Sequence, residues 1–318
     1  MNLDMFREVV ETARSEIGKT VHGQDEIVTS LLVAVFARGH CLLEGPPGTA
    51  KTLLAKTLAH TMDLDFGRIQ FTPDLMPGDV LGANIFNFQT GAFTLTKGPV
   101  FTDILLADEI NRAPPKTQSS LLQAMNERQV TIDGVTYPLG DDFFVLATQN
   151  PIEQQGTYPL PEAQLDRFLF KLVLDFPDRD AEFEILSRNR NKPVGAEHGP
   201  VDIAKTLSGE TLAAGRQLVD GIRLDDTILN YIVDLIRATR NDAEIRHGAS
   251  TRAADALASA VRAKAAIEGR DYAIPDDVQA LLIPAMRHRI VLGPTAEIEG
   301  RTPQDVLGNI LNRVNAPR

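Results

Sequence analysis

A single cysteine, Cys41, and no tryptophan stand in a chain of 318 residues. One thiol excludes an intrachain disulfide framework and a cysteine-built zinc cluster. Followed by Leu42 and Leu43, Cys41 reads as a small buried residue that suits a reducing compartment. Long apolar runs are also lacking. The longest, Leu31 to Ala37, falls far short of the ~20 residues that span a bilayer. The amino terminus, Met1-Asn2-Leu3-Asp4-Met5, has neither the basic nor the apolar region of a signal peptide. A cytoplasmic protein with no membrane span is therefore expected. Clusters of Lys and Arg are missing as well. Net charge is −11, with −10 falling on residues 1–180 and −1 on residues 181–318. Phosphate-backbone binding draws its affinity from such clusters, so nucleic acid is disfavoured as the main ligand unless an oligomer gathers scattered basic residues in a channel. The six histidines (His22, His40, His60, His198, His247, His288) show no metal-ligand spacing.

What remains is a globular composition, 43% apolar and 24% charged. At roughly 150 residues per domain the length suggests about two domains. Apolar runs at Gly39–Glu44, Arg68–Thr72, Phe101–Ala107, Phe143–Gln149 and Phe170–Leu174 predict the buried strands of a parallel α/β sheet. Two hairpins interrupt the alternation. One covers Ala83–Lys97 around Gln89-Thr90-Gly91. The other covers Gln129–Tyr137 and turns at Asp133-Gly134, pairing Ile132 with Val135 and Val130 with Tyr137. The face of Val130 and Ile132 should pack on the domain. Phe86 and Phe88 share a face of the first hairpin; partial packing is expected, and exposure would fit them to grip a client chain. Helical spacing covers Asp178–Asn191. Beyond a polar stretch it resumes at Gly209–Leu218, Asp225–Arg240, Thr251–Glu268, Pro275–Leu282 and Thr302–Val314. The division is a core over residues 1–190, a linker over 191–199 and a small all-α domain over 200–318.

The chemistry concentrates after the first strand. Gly45-Pro46-Pro47-Gly48-Thr49-Ala50-Lys51-Thr52 and then Leu53 lie between a strand and a helix, the context of a P-loop. Small residues let backbone N–H groups curl around a phosphate. Lys51 brings a point charge to the β- and γ-phosphates, and Thr52 offers a hydroxyl to Mg²⁺. Ala50 stands where glycine is usual. Its Cβ disfavours positive φ, and the exchange costs nothing if the position is helical. A second strand, Ile104 to Ala107, delivers Asp108 and Glu109 at its carboxyl end, where ligands of open α/β sheets sit. Asp108 suits the hydration shell of Mg²⁺, and Glu109 suits a base for the attacking water. Asn150 closes a third strand, placed to hydrogen-bond the γ-phosphate or that water.

Together these motifs resemble the AAA+ ATPases, and within them the MoxR family. Further matching strings are Val21-His22-Gly23-Gln24, Leu75 to Gly82, Asp108 to Ala113, Ala147 to Pro151, Glu162 to Phe168 and Gly248 to Ala253. The resemblance implies an AAA+ P-loop NTPase αβα sandwich with hairpin insertions and a helical lid. It implies ATP and Mg²⁺ as cofactors, with Val21 and Gln24 near the adenine. Asn150 would be the sensor 1 residue, Arg167 an arginine finger reaching the neighbouring subunit, and Arg252 the sensor 2 arginine, in cis or in trans. It also implies a homo-hexameric ring that remodels or matures a client protein or inserts a metal cofactor. A partner with a von Willebrand factor A domain would accompany it. On residues alone, Arg167 could equally pair with its neighbour Asp166. A nucleic-acid translocase and a slow nucleotide switch remain the alternatives.

Overall fold

A computed structural model describes residues 1–89, 91–151, 156–189 and 203–317. In chain order it runs α1 (Leu3–Gly18), α2 (Asp25–Phe36), β1 (His40–Glu44), α3 (Lys51–Thr61), β2 (Phe66–Gln70) and α4 (Pro77–Leu81). Next come the hairpin β3 (Gly82–Asn87) and β4 (Ala92–Lys97), then β5 (Ile104–Asp108), a 3-10 turn (Ile110–Arg112) and α5 (Pro115–Glu127). A second hairpin, β6 (Gln129–Ile132) and β7 (Val135–Pro138), precedes β8 (Phe144–Gln149), α6 (Glu162–Leu165), β9 (Phe168–Val173) and α7 (Arg179–Asn189). The remainder is α8 (Gly209–Asp220), α9 (Asp226–Asn241), β10 (Ile245–His247), α10 (Thr251–Ile267), α11 (Pro275–Met286), β11 (Val291–Leu292), α12 (Pro294–Ile298) and α13 (Pro303–Arg313). The expected linker at 191–199 and the turn residue Thr90 lie outside the described residues.

Five strands form a parallel sheet in the order β2-β5-β8-β1-β9. Period-two alternation sends side chains to two apolar layers. Cys41, Leu43, Ile104, Leu106, Phe144 and Leu146 join one, while Leu42, Leu105, Ala107, Val145 and Ala147 join the other. The first layer packs α1, α2 and α3 and continues without a break into the helices after α8. The second packs α5 and the inner face of β6, with Val130 and Ile132 buried as the pattern predicted. Their partners on β7 differ: Val135 is exposed, whereas Tyr137 is half-buried and packs against the edge of this layer.

Several elements depart from the sequence pattern for identifiable reasons. β2 is an edge strand, and only Ile69 of its side chains is buried, although a run covered on both faces was expected. Helix α11 continues four residues past Leu282 with Pro284 inside it, although proline predicts a stop. Burial of Ala285 and Met286 holds that last turn in place. The last domain also holds the antiparallel pair β10–β11, where a wholly helical domain was expected. Phe86, Phe88 and Phe93 do not pack on the core. Phe88 is 90% exposed, and the Phe86 ring meets those of Phe88 and Phe93 edge to face, each at a centroid distance of 5.2 Å. Helix α8 keeps Gly215 in its interior at a cost of ~1 kcal/mol relative to alanine. A Cβ there would lie 2.7 Å from the Phe36 ring and 2.8 Å from Phe6, so the glycine sets how closely α8 approaches α1 and α2.

One buried polar group ties α5 to the sheet. His40 accepts the Val145 N–H at Nδ1 (3.0 Å), so its proton sits on Nε2 and is donated to the Met125 carbonyl (3.1 Å). Burial holds the ring neutral, with its pKa down at about 4. Protonation would force a second N–H against the Val145 donor. The unfolded ring titrates near 6.5. The contribution of His40 is therefore complete above pH 6.5 and lost as pH falls toward 4. Denaturant unfolding at several pH values should show wild type losing stability faster than His40→Asn over that window, by up to about 1.4 kcal/mol per unit. Parallel pH profiles would contradict this.

Candidate active site

The sheet order brings three strand ends together. β8 lies between β5 and β1, so the loop after β1, the carboxylates ending β5 and Asn150 after β8 share one edge. Gly45 leaves β1 where a Cβ would sit 2.4 Å from the Leu174 carbonyl. Gly48 turns at φ +86° into open space. Lys51 opens α3, and its Nζ donates to the carbonyls of Gly45 and Pro46, both at 2.7 Å. Partial burial lowers the lysine's pKa, opposed by the nearby charges of Asp108 and Glu109. Thr49 donates to Pro46 O at 2.9 Å and closes the loop. Ala50 is left-handed, at φ +60° and ψ 21°, and caps α3. The helical backbone that would make alanine harmless is absent, and the residue carries strain of about 1 kcal/mol.

Asp108 is nearly buried at the end of β5. Its Oδ1 accepts from Thr148 Oγ1 (2.6 Å), and its Oδ2 accepts from Arg68 (2.8 Å) and lies 3.4 Å from Thr52 Oγ1. The chain then turns sharply. Glu109 is left-handed at φ +56°, just past the strand, and its N–H donates to Thr148 Oγ1 at 2.8 Å. Its carboxylate Oε2 accepts from Gln70 Nε2 (2.8 Å) and pairs with Arg112 Nε (2.9 Å). Thr148, Gln70, Arg68 and Arg112 were missed in the sequence. Thr148 carried a signal, since it lies two residues before Asn150 on the same strand. Gln70 ends the neighbouring strand β2 and belongs to no motif of its own. Asn150 is buried at the end of β8.

The cradle fits a nucleotide and its metal. Gly48 leaves room, and the loop residues on either side of it are small or cyclic. One hydroxyl and one carboxylate within 3.4 Å are the hard oxygen donors that Mg²⁺ takes alongside phosphate oxygens. Arg68 shares Asp108 Oδ2 and would compete with a cation there. Val21 is buried, and Gln24 Nε2 donates to the Asp175 carbonyl at 3.2 Å, which closes the side beyond β9. His22 lies 3.6 Å from Glu184, so its partner is a side chain of α7.

Two predicted residues are not in this group. Arg167 precedes β9 at the end where Phe168 pairs with His40, whereas the P-loop begins beyond Glu44, which pairs with Val173. That separates Arg167 from its own loop by the length of the strand, roughly 16 Å at about 3.3 Å per residue. Arg167 donates to the Leu122 carbonyl of α5 at 2.7 Å. It does not take Asp166, whose Oδ1 is held by Arg289 at 2.7 Å. Arg252, at the start of α10, donates to Asn126 Oδ1, one turn further along α5. Both arginines therefore gather on the same helix.

The chain has relatives along nearly its whole length. Residues 40–170 match the family described as ATPase family associated with various cellular activities (AAA), and residues 237–310 match the AAA lid domain. Chaperone MoxR1 of Mycobacterium tuberculosis is 41% identical over 97% of this chain and 82% of its own length. Protein YeaC of Bacillus subtilis is 43% identical over 96% and 94%. A solved structure of a proposed ATPase from Cytophaga hutchinsonii superposes with a TM-score of 0.90 at 42% identity, covering 99% of this chain and 97% of that one. No helix among the described residues is long and apolar enough to cross a membrane. With the AAA model matched over the core, the AAA lid model matched behind it, and relatives of 41–43% identity aligned along nearly all of this chain, the chain belongs to the MoxR-type AAA ATPases.

Proposed function

We propose that this chain is a Mg²⁺-dependent ATPase that works as a ring, with a nucleotide-binding core over residues 1–190 and a lid over 200–318. The observation that carries the reading is the placement of Arg167 and Arg252 on α5, at the sheet end opposite the chain's own P-loop. A subunit so built offers a loop at one end and two cations at the other. In a closed ring, proposed here as a homo-hexamer, each pair of cations meets the next subunit's nucleotide. Arg167 serves as the finger and Arg252 acts beside it in trans. A finger of this kind contributes ~10³–10⁵ in rate.

Lys51, released from the Gly45 and Pro46 carbonyls, turns to the β- and γ-phosphates. Thr52 and Asp108 would hold Mg²⁺, which when bound would supply charge neutralisation to the phosphoryl group. Glu109 takes the proton of the attacking water once its carboxylate leaves Gln70 and Arg112. Asn150 orients the water or the γ-phosphate. Val21 and Gln24 flank the base. The work output is chaperone-like remodelling or maturation of a client protein, metal insertion included. The exposed Phe86, Phe88 and Phe93 supply an apolar grip. The core's charge of −10 favours a partner with a basic face or a bound divalent cation, for which a von Willebrand factor A domain protein is the fit.

Separate roles predict separate defects. Glu109→Gln should leave ATP and Mg²⁺ affinity nearly intact and abolish turnover, while Lys51→Ala should weaken ATP binding itself. Equal losses of affinity, measured by titrating a fluorescent ATP analogue, would contradict the assignment. Gln70→Ala frees the Glu109 carboxylate and should raise basal turnover in the assembled protein; an unchanged or lower rate would show that Gln70 does not restrain the base. Neither Arg167→Ala nor Glu109→Gln should hydrolyse ATP alone. Mixed rings place an intact Glu109 beside an intact Arg167 at some interfaces, so activity should partly return. Exchange of subunits without recovery would defeat the trans role.

A further inference from the structure

The lid grips the segment carrying Arg167. Arg289 follows the last turn of α11, and its guanidinium is almost wholly buried. Nε donates to Asp166 Oδ1 (2.7 Å). Nη2 donates to the carbonyls of Asp166 (3.2 Å) and Phe168 (2.8 Å), and Nη1 to those of Leu169 (3.0 Å) and Ala285 (2.5 Å). His288 adds Nε2 at 2.9 Å from the Phe168 carbonyl, and burial holds its pKa far below the usual value, so that nitrogen carries the proton and donates. The residues on both sides of Arg167 are thus fixed by the lid, while the Arg167 side chain reaches across to α5, as Gln164 does three residues earlier through Ser119 Oγ (2.9 Å). An ion pair for Asp166 needs one charge. A planar fork laid over the carbonyls flanking a single residue also fixes the direction in which that residue leaves the chain.

The same segment begins beside the nucleotide site. Arg287 lines a cavity of about 540 Å³ between α2, β9, α10 and α11. Its Nε is buried with no partner among the described residues. Burial lowers its pKa against the opposing charges of Glu44 and Asp175. Glu44 directly precedes the P-loop, and the Asp175 carbonyl holds Gln24. Three consecutive residues therefore span from the lid's own nucleotide side to the finger.

We propose that Arg289 is a positioning residue for Arg167, through which the placement of a subunit's lid beside its own nucleotide sets the direction of the finger it offers to its neighbour. The proposal rests on the reading of Arg167 as a finger acting in trans. Finger geometry matters steeply, since a displacement of about 1 Å at a reacting centre can cost ~10²-fold in rate.

The test is Arg289→Lys, which keeps the charge and loses the fork, assayed as the full-length assembled protein. The expected result is a kcat lower by about 10–100-fold, with affinity for a fluorescent ATP analogue unchanged. Mixing with Glu109→Gln should restore activity, because those subunits supply properly held fingers to intact sites; mixing with Arg167→Ala should not. A wild-type kcat for Arg289→Lys would overturn the proposal. So would a loss that Glu109→Gln fails to repair while it does repair Arg167→Ala. Failure to repair Arg167→Ala itself would instead defeat the trans reading, and the proposal with it. Should Arg289→Lys not fold, Asp166→Asn carries the same test. It spares the four carbonyl bonds and weakens the side-chain bond at Nε, so a smaller drop in kcat with the same mixing pattern is expected. An unchanged kcat would overturn the proposal.

Discussion

A single buried hydroxyl organises the hydrolytic end of this molecule. Thr148 Oγ1 donates to Asp108 and accepts the N–H of Glu109, so one atom of β8 binds both adjacent carboxylate residues of β5. The consequence is geometric. Asp108 ends the strand in extended backbone and faces Thr52, while Glu109 is pulled into a left-handed turn of the kind that costs a non-glycine residue ~1–2 kcal/mol. Two carboxylates that would point to opposite faces of a longer strand are instead aimed at two positions of one site. Strain of this sort persists only where surrounding structure over-determines it, and here the Thr148 bond, the Gln70 bond and the Arg112 pair supply the constraint.

The same parallel sheet that gathers the loop, the carboxylates and Asn150 sends Arg167 away. Strand direction makes this unavoidable. Residues after a strand lie at one edge, residues before it at the other, and Arg167 stands before β9. Both arginines then rest on α5, near the turn that His40 anchors to β1 through the Met125 carbonyl. A complete site on the proposed reading requires two copies of the chain. The lid is not a separate cap in this scheme: its apolar residues continue the layer that covers the sheet, and Arg289 joins it to the backbone around the finger.

Much of this was legible in the residues. The strand–loop–helix around Lys51, the acidic pair after an apolar run and the Asp133-Gly134 hairpin all declare themselves by local chemistry, and the register of β6 with β7 follows from the turn alone. What was not legible depends on neighbours distant in sequence. Ala50 becomes left-handed because the loop must deliver Lys51 to α3. Pro284 sits inside a helix because the residues after it are buried. β2 is exposed because it lies at the edge of the sheet, and edge position is a property of topology. Gln70 and Arg289 carry no motif of their own; each acquires a role only from the carboxylate or carbonyl it meets. For Phe86 and Phe88 the residues alone leave packing and exposure both open, with partial packing expected; in the structure they lie exposed together with Phe93.

The claim that binds these parts together is that each nucleotide is completed by the subunit next to it. The most direct measurement is a structure of the assembled Glu109→Gln protein with ATP and Mg²⁺ bound. The account predicts that Arg167 of one subunit leaves the Leu122 carbonyl and stands within hydrogen-bond distance, about 3 Å, of the neighbour's γ-phosphate. Lys51 of that neighbour should have exchanged its two loop carbonyls for phosphate oxygens. An assembly in which every nucleotide is enclosed by residues of one chain, with Arg167 still on α5, would contradict it.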